Sequence, residues 1–245
     1  MVFAGNCPDI DDMERIFNSL PEAQRDLIFY LSDYLLQNRE LTYENALENV
    51  LISVFERDIS SEEMREYVKL TASTLPYVRA RIRDEVIRNV IDSEIRLDLY
   101  GKGWEKYKTE LSNGNTNLCG TATFFDLPRL FNEAKIVLNI MPWFKNGSHD
   151  RIANGVYAGA AIATDESVFL KKMAEENPDK DSFIFFDISR TEEMPDIIER
   201  NLLQPERLYM IAENGRRLIE NRLSAERLVG KLIQIIERSS GGIEE

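Results

Sequence analysis

Long apolar runs are missing from this sequence. No uninterrupted stretch approaches the roughly 18 to 20 residues that cross a bilayer, so a membrane-spanning helix is not expected. The N-terminus also lacks a basic segment followed by an apolar stretch. No secretory signal is read there, and the expected location is the cytoplasm. Cysteine is scarce: Cys7 and Cys119 lie far apart and read as reduced thiols, although a pair is compatible with a disulfide. Histidine is scarcer still. His149 stands alone, which excludes histidine-rich metal sites and argues against a Ser-His-Asp triad. Positive charge is in deficit, with 30 Lys and Arg against 43 Asp and Glu and a net charge of −13. Such a balance repels nucleic acid and anionic lipid, while a local basic pocket could still hold a small phosphorylated ligand. There is no Walker pattern, no G-x-G-x-x-G opening a helix, no nucleophile elbow, no internal repeat and no low-complexity tract.

What the sequence does contain fits a folded chain of substantial core: 245 residues, 43% hydrophobic and 30% charged. Val2-Phe3-Ala4-Gly5 reads as a short buried strand. From about Asp9 to Ile91 the pattern is helical. Leu27, Tyr30, Leu31, Tyr34 and Leu35 recur at amphipathic spacing, Thr42 and Ser60 or Ser61 are candidate N-caps, and Pro76 is expected to interrupt or kink the region before Val78. From Ile95 short apolar strands alternate with helices, with strand candidates at Ile95–Tyr100, Asn117–Cys119, Ile136–Ile140, Ala160–Thr164 and Phe183–Phe186. That alternation predicts an α/β, doubly wound (Rossmann-like) parallel sheet with a large N-terminal helical insertion and C-terminal helices. The expected division is 1–8 with 93–240 as the α/β domain, 9–92 as the insertion and 241–245 as a polar tail.

In such a sheet, ligands bind beyond the carboxyl ends of the strands. Three loops leave those ends with unusual composition: Gly5-Asn6, Gly101-Lys102-Gly103-Trp104, and the run from Met141 to Arg151. The third feeds a helix expected to begin near Asp150, and a helix start suits a diphosphate. Gly147 would permit close approach, Ser148 adds a hydroxyl donor, His149 and Arg151 could contact phosphate, and Asn154 could bond ribose hydroxyls. A purely structural alternative stays open, with Asp150 as an N-cap, His149 on the surface and Arg151 paired to a carboxylate. Trp104 and Trp143 could flank a sugar or base or lie in the core. Asp9-Ile10-Asp11 and Asp179-Lys180-Asp181 match a metal-binding D-x-D pattern but read better as a helix cap and a solvated loop.

Several stretches together resemble a known group. They are Val2–Gly5, Leu99-Tyr100-Gly101-Lys102-Gly103-Trp104, Lys135–Ile140, the run from Pro142 to Ile152 ending Gly147-Ser148-His149-Asp150-Arg151, Gly159-Ala160 and Thr164-Asp165. The pattern is similar to the C-terminal domain of the spore-maturation-protein-like glycosyltransferases, GT-B relatives of glycosyltransferase family 4. The resemblance implies transfer of a sugar from a nucleoside diphosphate sugar to an acceptor, without a bound metal or other cofactor. It also implies that acceptor and catalytic base come from an N-terminal domain outside this chain, which alone would be inactive. His149 and Arg151 would stabilise the diphosphate leaving group. Gly5, Asn6, Gly101, Lys102, Gly103, Trp104, Asn146, Gly147, Ser148 and Asn154 would surround the donor. The broader family carries two glutamates eight positions apart; alignment on Gly159 places Asn146 and Asn154 there, keeping the spacing and losing the charge. Its basic pair near the first strand is also missing, with Arg15 or Lys102 as candidate substitutes. These departures leave a non-catalytic scaffold of the same fold as the alternative, and a nucleotide-sugar epimerase as a third reading.

Overall fold

The computed structural model describes residues 1–109, 111, 114–142, 145–177 and 181–240. The expectation for Trp143, most of the Asp179-Lys180-Asp181 loop and the tail 241–245 therefore lie outside the described residues. The chain opens with strand β1 (Val2–Ala4) and then runs through five helices: α1 (Ile10–Asn18), α2 (Glu22–Gln37), α3 (Tyr43–Phe55), α4 (Ser61–Leu70) and α5 (Thr74–Ile91). Next come β2 (Leu97–Tyr100), β3 (Thr116–Leu118), α6 (Leu127–Asn132), β4 (Ile136–Asn139), α7 (Asp150–Tyr157), β5 (Ala161–Asp165), α8 (Val168–Glu175) and β6 (Ile184–Phe186). Helices α9 (Met194–Leu202), α10 (Pro205–Leu223) and α11 (Ala225–Ser240) close the chain. No helix among the described residues is long and apolar enough to cross a membrane.

The helix starts follow local chemistry. Asp9, Thr42 and Ser60 each accept a backbone N–H of the first turn of α1, α3 and α4, and Ser60 forms a reciprocal capping box with Glu63. Pro76 does not interrupt its helix, contrary to the sequence expectation. It falls in the first turn of α5, where a backbone N–H has no intrahelical acceptor to lose.

Among the described residues six strands form one all-parallel sheet in the order β3-β2-β1-β4-β5-β6, so the fold is a doubly wound α/β sheet. Side chains alternate between its faces, as the strand period requires. Phe3, Leu99, Ile136, Leu138 and Ala163 enter one core, which also holds Ile28 and Leu31 of α2, Leu47 of α3, Ile82 and Val86 of α5 and Ile198 of α9. Val2, Val137 and Ile162 enter the other, with Phe131, Ile152, Val156, Leu170 and Leu218. The helical stretch that sequence sets apart as an insertion thus shares one hydrophobic core with the sheet, and α5 leads directly back into β2. Helix α11 touches α10 but leaves Leu228, Leu232 and Ile235 exposed.

Candidate functional site

Sheet order reverses between β1 and β4. From β1 the chain moves outward through β2 to β3; from β4 it moves the other way, through β5 to β6. Beta strands β4 and β5 are in register across four residues, from Ile136 opposite Ala161 to Asn139 opposite Thr164. Between β1 and β4 the register holds only Val2 opposite Val137. Beyond that pair the carboxyl ends of β1 and β4 are not laddered together, which is where a doubly wound sheet opens a crevice.

A buried polar chain replaces the missing ladder. Arg151, on the first turn of α7, donates from Nε and Nη2 to the carbonyl of Ala4 (3.1 and 2.8 Å) and from Nη1 to Asn139 Oδ1 (2.7 Å). Asn139 Nδ2 donates onward to Thr164 Oγ1 at 3.0 Å, and the Met141 N–H donates to Asp165 Oδ1 at 2.7 Å. Arg151, Asn139, Thr164 and Asp165 are all buried. Burial pulls the Arg151 pKa down to about 10 and pushes that of Asp165 up to about 6, the latter opposed by the Met141 N–H and by Lys145. The sequence aims Arg151 at a ligand; in the structure its fork is occupied by β1 and β4. Asn139, Thr164 and Asp165 escaped the sequence reading. Their signal was a polar residue at the end of each of two otherwise apolar strands.

His149 is the N-cap of α7, a place the structural alternative had given to Asp150. Its Nδ1 accepts the Arg151 N–H at 3.1 Å, so the neutral ring carries its proton on Nε2. Asp150 Oδ1 also lies against Nδ1, but that nitrogen cannot accept from Arg151 and donate to Asp150 at once. Burial first, and then Arg151, hold the imidazole pKa down at about 4 against Asp150, with Arg83 and Arg79 adding to the depression. His149 is half-buried at the carboxyl edge of the sheet, next to the β1–β4 opening.

The remaining sequence-selected residues fall into four groups. Gly5, Asn6, Gly101 and Lys102 come together around a pocket of about 360 Å³ that also takes in Tyr100, Thr121 and Leu127. Backbone bonds continue the β1–β2 pairing into it, Gly5 N to Tyr100 O (2.9 Å) and Cys7 N to Lys102 O (3.0 Å), and the Asn6 side-chain Oδ1 accepts from Lys102 N (2.9 Å). Asn146 and Gly147 line a second pocket of about 390 Å³ with Lys145, Thr42, Tyr43, Glu44 and Leu75. Ser148 and Asn154 are half-buried around the start of α7. Gly103 and Trp104 belong to neither pocket. Trp104 is 1% exposed, donates its indole N–H to Gly5 O at 2.7 Å, and is packed edge-on to Phe3 and stacked on Tyr107. Its faces are spent on the core, so the expectation that it flanks a donor is corrected. Cys7 is buried and its thiol pKa is raised to about 11 by burial, and neither cysteine is in a disulfide.

A family model described as glycosyl transferase-like matches residues 79–234. The chain belongs to the glycosyl transferase-like family. A search of curated proteins finds no match to it. The glycosyl transferase-like region begins within α5 and ends in α11, so it takes in the β4–α7 loop and the later strands but not β1.

In this glycosyl transferase-like chain the capping imidazole sets a pH dependence. The native state resists protonation of His149 down to about pH 4, whereas an unfolded histidine takes a proton near 6.5. Its contribution to stability is therefore whole above pH 6.5 and is lost as pH falls from there through about 4. Asp165 works in the opposite sense, so the imidazole is isolated by difference. In His149→Asn, which retains a capping side chain, the urea midpoint is expected to fall less steeply between pH 6.5 and 4.5 than in the wild type. Parallel curves for the two proteins would refute the neutral cap.

Proposed function

We propose that the chain is the nucleotide-sugar-binding half of a two-domain, GT-B type glycosyltransferase of the spore-maturation-protein-like group. One observation carries this reading. In a glycosyl transferase-like chain, the helix start capped by His149 stands at the β1–β4 switch point of a doubly wound sheet. The early N–H groups of α7 and its positive dipole end suit a diphosphate. The Nε2 proton of His149 would donate to a phosphate oxygen, and Arg151 behind it would supply fixed positive charge without direct contact. As the glycosidic bond to the donor phosphate breaks, these groups would stabilise charge building on the leaving diphosphate. The pocket of Gly5, Asn6, Gly101 and Lys102 lies on one side of this point. Asn146 and Asn154 would bond sugar and ribose hydroxyls. Residues 1–8 with 93–240 form the binding unit in this reading, and 9–92 elaborate the β1–β2 crossover. The acceptor and catalytic base would come from a further N-terminal domain, no metal would be needed, and the enzyme would work in the cytoplasm.

The test is thermal unfolding of the chain with a panel of nucleoside diphosphates and their sugars. A donor at a hundred times its Kd should add about 2.7 kcal/mol of stability, which raises Tm by several degrees for a chain of this size. The shift is expected to vanish in His149→Ala, whose own stability loss should be about 1 kcal/mol from the missing cap. No shift with any member at millimolar concentration would favour the non-catalytic scaffold. A shift with nicotinamide cofactors alone would point to an epimerase.

A further inference from the structure

Helix α5, read from sequence as part of an insertion, presents an unusual set of charges to this same point. Arg79 and Arg83 stand one turn apart on it. Arg83 is 8% exposed, and its Nη1 donates to the carbonyl of Asn6 at 2.8 Å. Its guanidinium lies over the Phe3 ring at 5.9 Å from the centroid, and that of Arg151 lies over the same ring at 5.1 Å. Two buried guanidiniums thus lie against the Phe3 ring in β1. Arg79 is half-buried and close enough to act electrostatically on both Arg83 and His149.

Carboxylates are plentiful elsewhere along α5. Glu85 pairs with Arg39 and Asp84 with Lys106, both from the turn that follows Arg83. Near Arg83, by contrast, burial and then Arg151 and Arg79 lower its pKa to about 10, with Asp165 acting against them, while Asp150 acts on Arg151 and His149. Arg83 Nε is buried without a hydrogen-bond partner among the described residues. In a chain of net charge −13, Arg79, Arg83 and Arg151 gathered beside the start of α7 make a local excess of positive charge that suits an anion.

We infer that Arg79 and Arg83 of α5, with the N-terminus of α7 and His149, form the cradle for the phosphates of the ligand, Arg79 touching them and Arg83 holding charge and position behind. The inference rests on the donor-binding reading and adds to it that the helical crossover is part of the binding machinery. It also takes the ligand class to be a group of at least two phosphates, as the donor reading implies. Arg79 and Arg83 fill the place for which sequence offered Arg15 or Lys102. Arg15 is instead an exposed residue paired with Asp12.

The experiment is isothermal titration of the full chain with inorganic pyrophosphate, inorganic phosphate and the best nucleoside diphosphate, at low and moderate salt. Arg79→Gln and Arg83→Lys are the variants, with exposed Arg207→Gln as control and circular dichroism as the check on folding. Wild type should bind pyrophosphate at least tenfold more tightly than phosphate, and the affinity should fall as salt rises. Arg79→Gln should weaken pyrophosphate at least tenfold, Arg83→Lys should weaken it less, and Arg207→Gln should leave it unchanged. Folded Arg79→Gln binding both pyrophosphate and nucleotide like the wild type would overturn the inference while leaving the donor reading intact. Pyrophosphate binding lost in Arg79→Gln, with no gain in affinity from any nucleoside, would support the inference and sink the donor reading. Equal affinity for phosphate and pyrophosphate, or binding of neither, would overturn it.

Discussion

Gly103→Ala is expected to destabilise the protein by about 4 kcal/mol or more, a large share of a typical domain's stability. Gly103 has φ of +88°, and a Cβ there would lie 1.7 Å from the backbone oxygen of Cys7. The obstacle is main chain, not the tip of a flexible side chain, so the loops after β1 and β2 would have to separate. Separation breaks the Cys7 N–Lys102 O bond and draws Trp104 away from Gly5 and Phe3. Left-handed strain of about 1 to 2 kcal/mol, overpacking of about 1 to 3 and a lost hydrogen bond of about 1 act together. Gly159 supplies the control. It has the same φ of +88° with nothing within 4 Å of its added Cβ, so Gly159→Ala should cost only about 1 kcal/mol. The two urea midpoints side by side separate close approach from backbone strain. Equal losses would mean that the β1 and β2 loops are not held together as described.

Arg151→Met should cost about 2 to 4 kcal/mol, because it leaves the Ala4 carbonyl and Asn139 Oδ1 buried without their donor while keeping a stem of similar length. Arg151→Lys should fall between, since one ammonium cannot span both acceptors. These losses should appear in urea unfolding without any ligand present. A side chain that served only to grip a phosphate would behave in the opposite way: its removal would leave the unligated protein as stable as before, or more so, by relieving a buried charge. The sign of the change therefore decides whether Arg151 ties the strands together or only waits for an anion.

Much of the fold was legible in the sequence because its strands and helices obey local rules. The apolar runs at Ile136 and Ala160, the caps at Thr42 and Ser60, and Val168–Glu175 all fold where period and capping put them. Pro76 misled because the sequence alone does not say where a helix begins, and a proline that breaks a helix interior is tolerated in its first turn. Of the candidate site, the helix start at the sheet edge was legible in the sequence and the side-chain bonding around it was not. His149 heads a helix at the sheet edge as expected, yet its Nδ1 is spent on the cap. Trp104 and Gly103 look like ligand residues because glycines beside an aromatic suggest a binding turn; the same composition is needed where two loops touch main chain to main chain. Arg79 and Arg83 went unread because, at i and i+4 ahead of buried Ile87, they take places where an apolar stripe would be expected and passed as ordinary helix charges.

The central claim is that the α7 start at the β1–β4 crevice holds a nucleoside diphosphate sugar. With one histidine in the chain, the imidazole nitrogen signals report on that point without ambiguity of assignment. The most direct measurement is a nitrogen NMR titration of that ring with the tightest-binding nucleoside diphosphate sugar. The account predicts a neutral ring with Nε2 protonated before addition, a marked shift of the Nε2 signal at saturation, and a pKa raised from about 4 once a phosphate faces it. Saturable binding that leaves both imidazole signals and that pKa unmoved would place the ligand elsewhere and contradict the account.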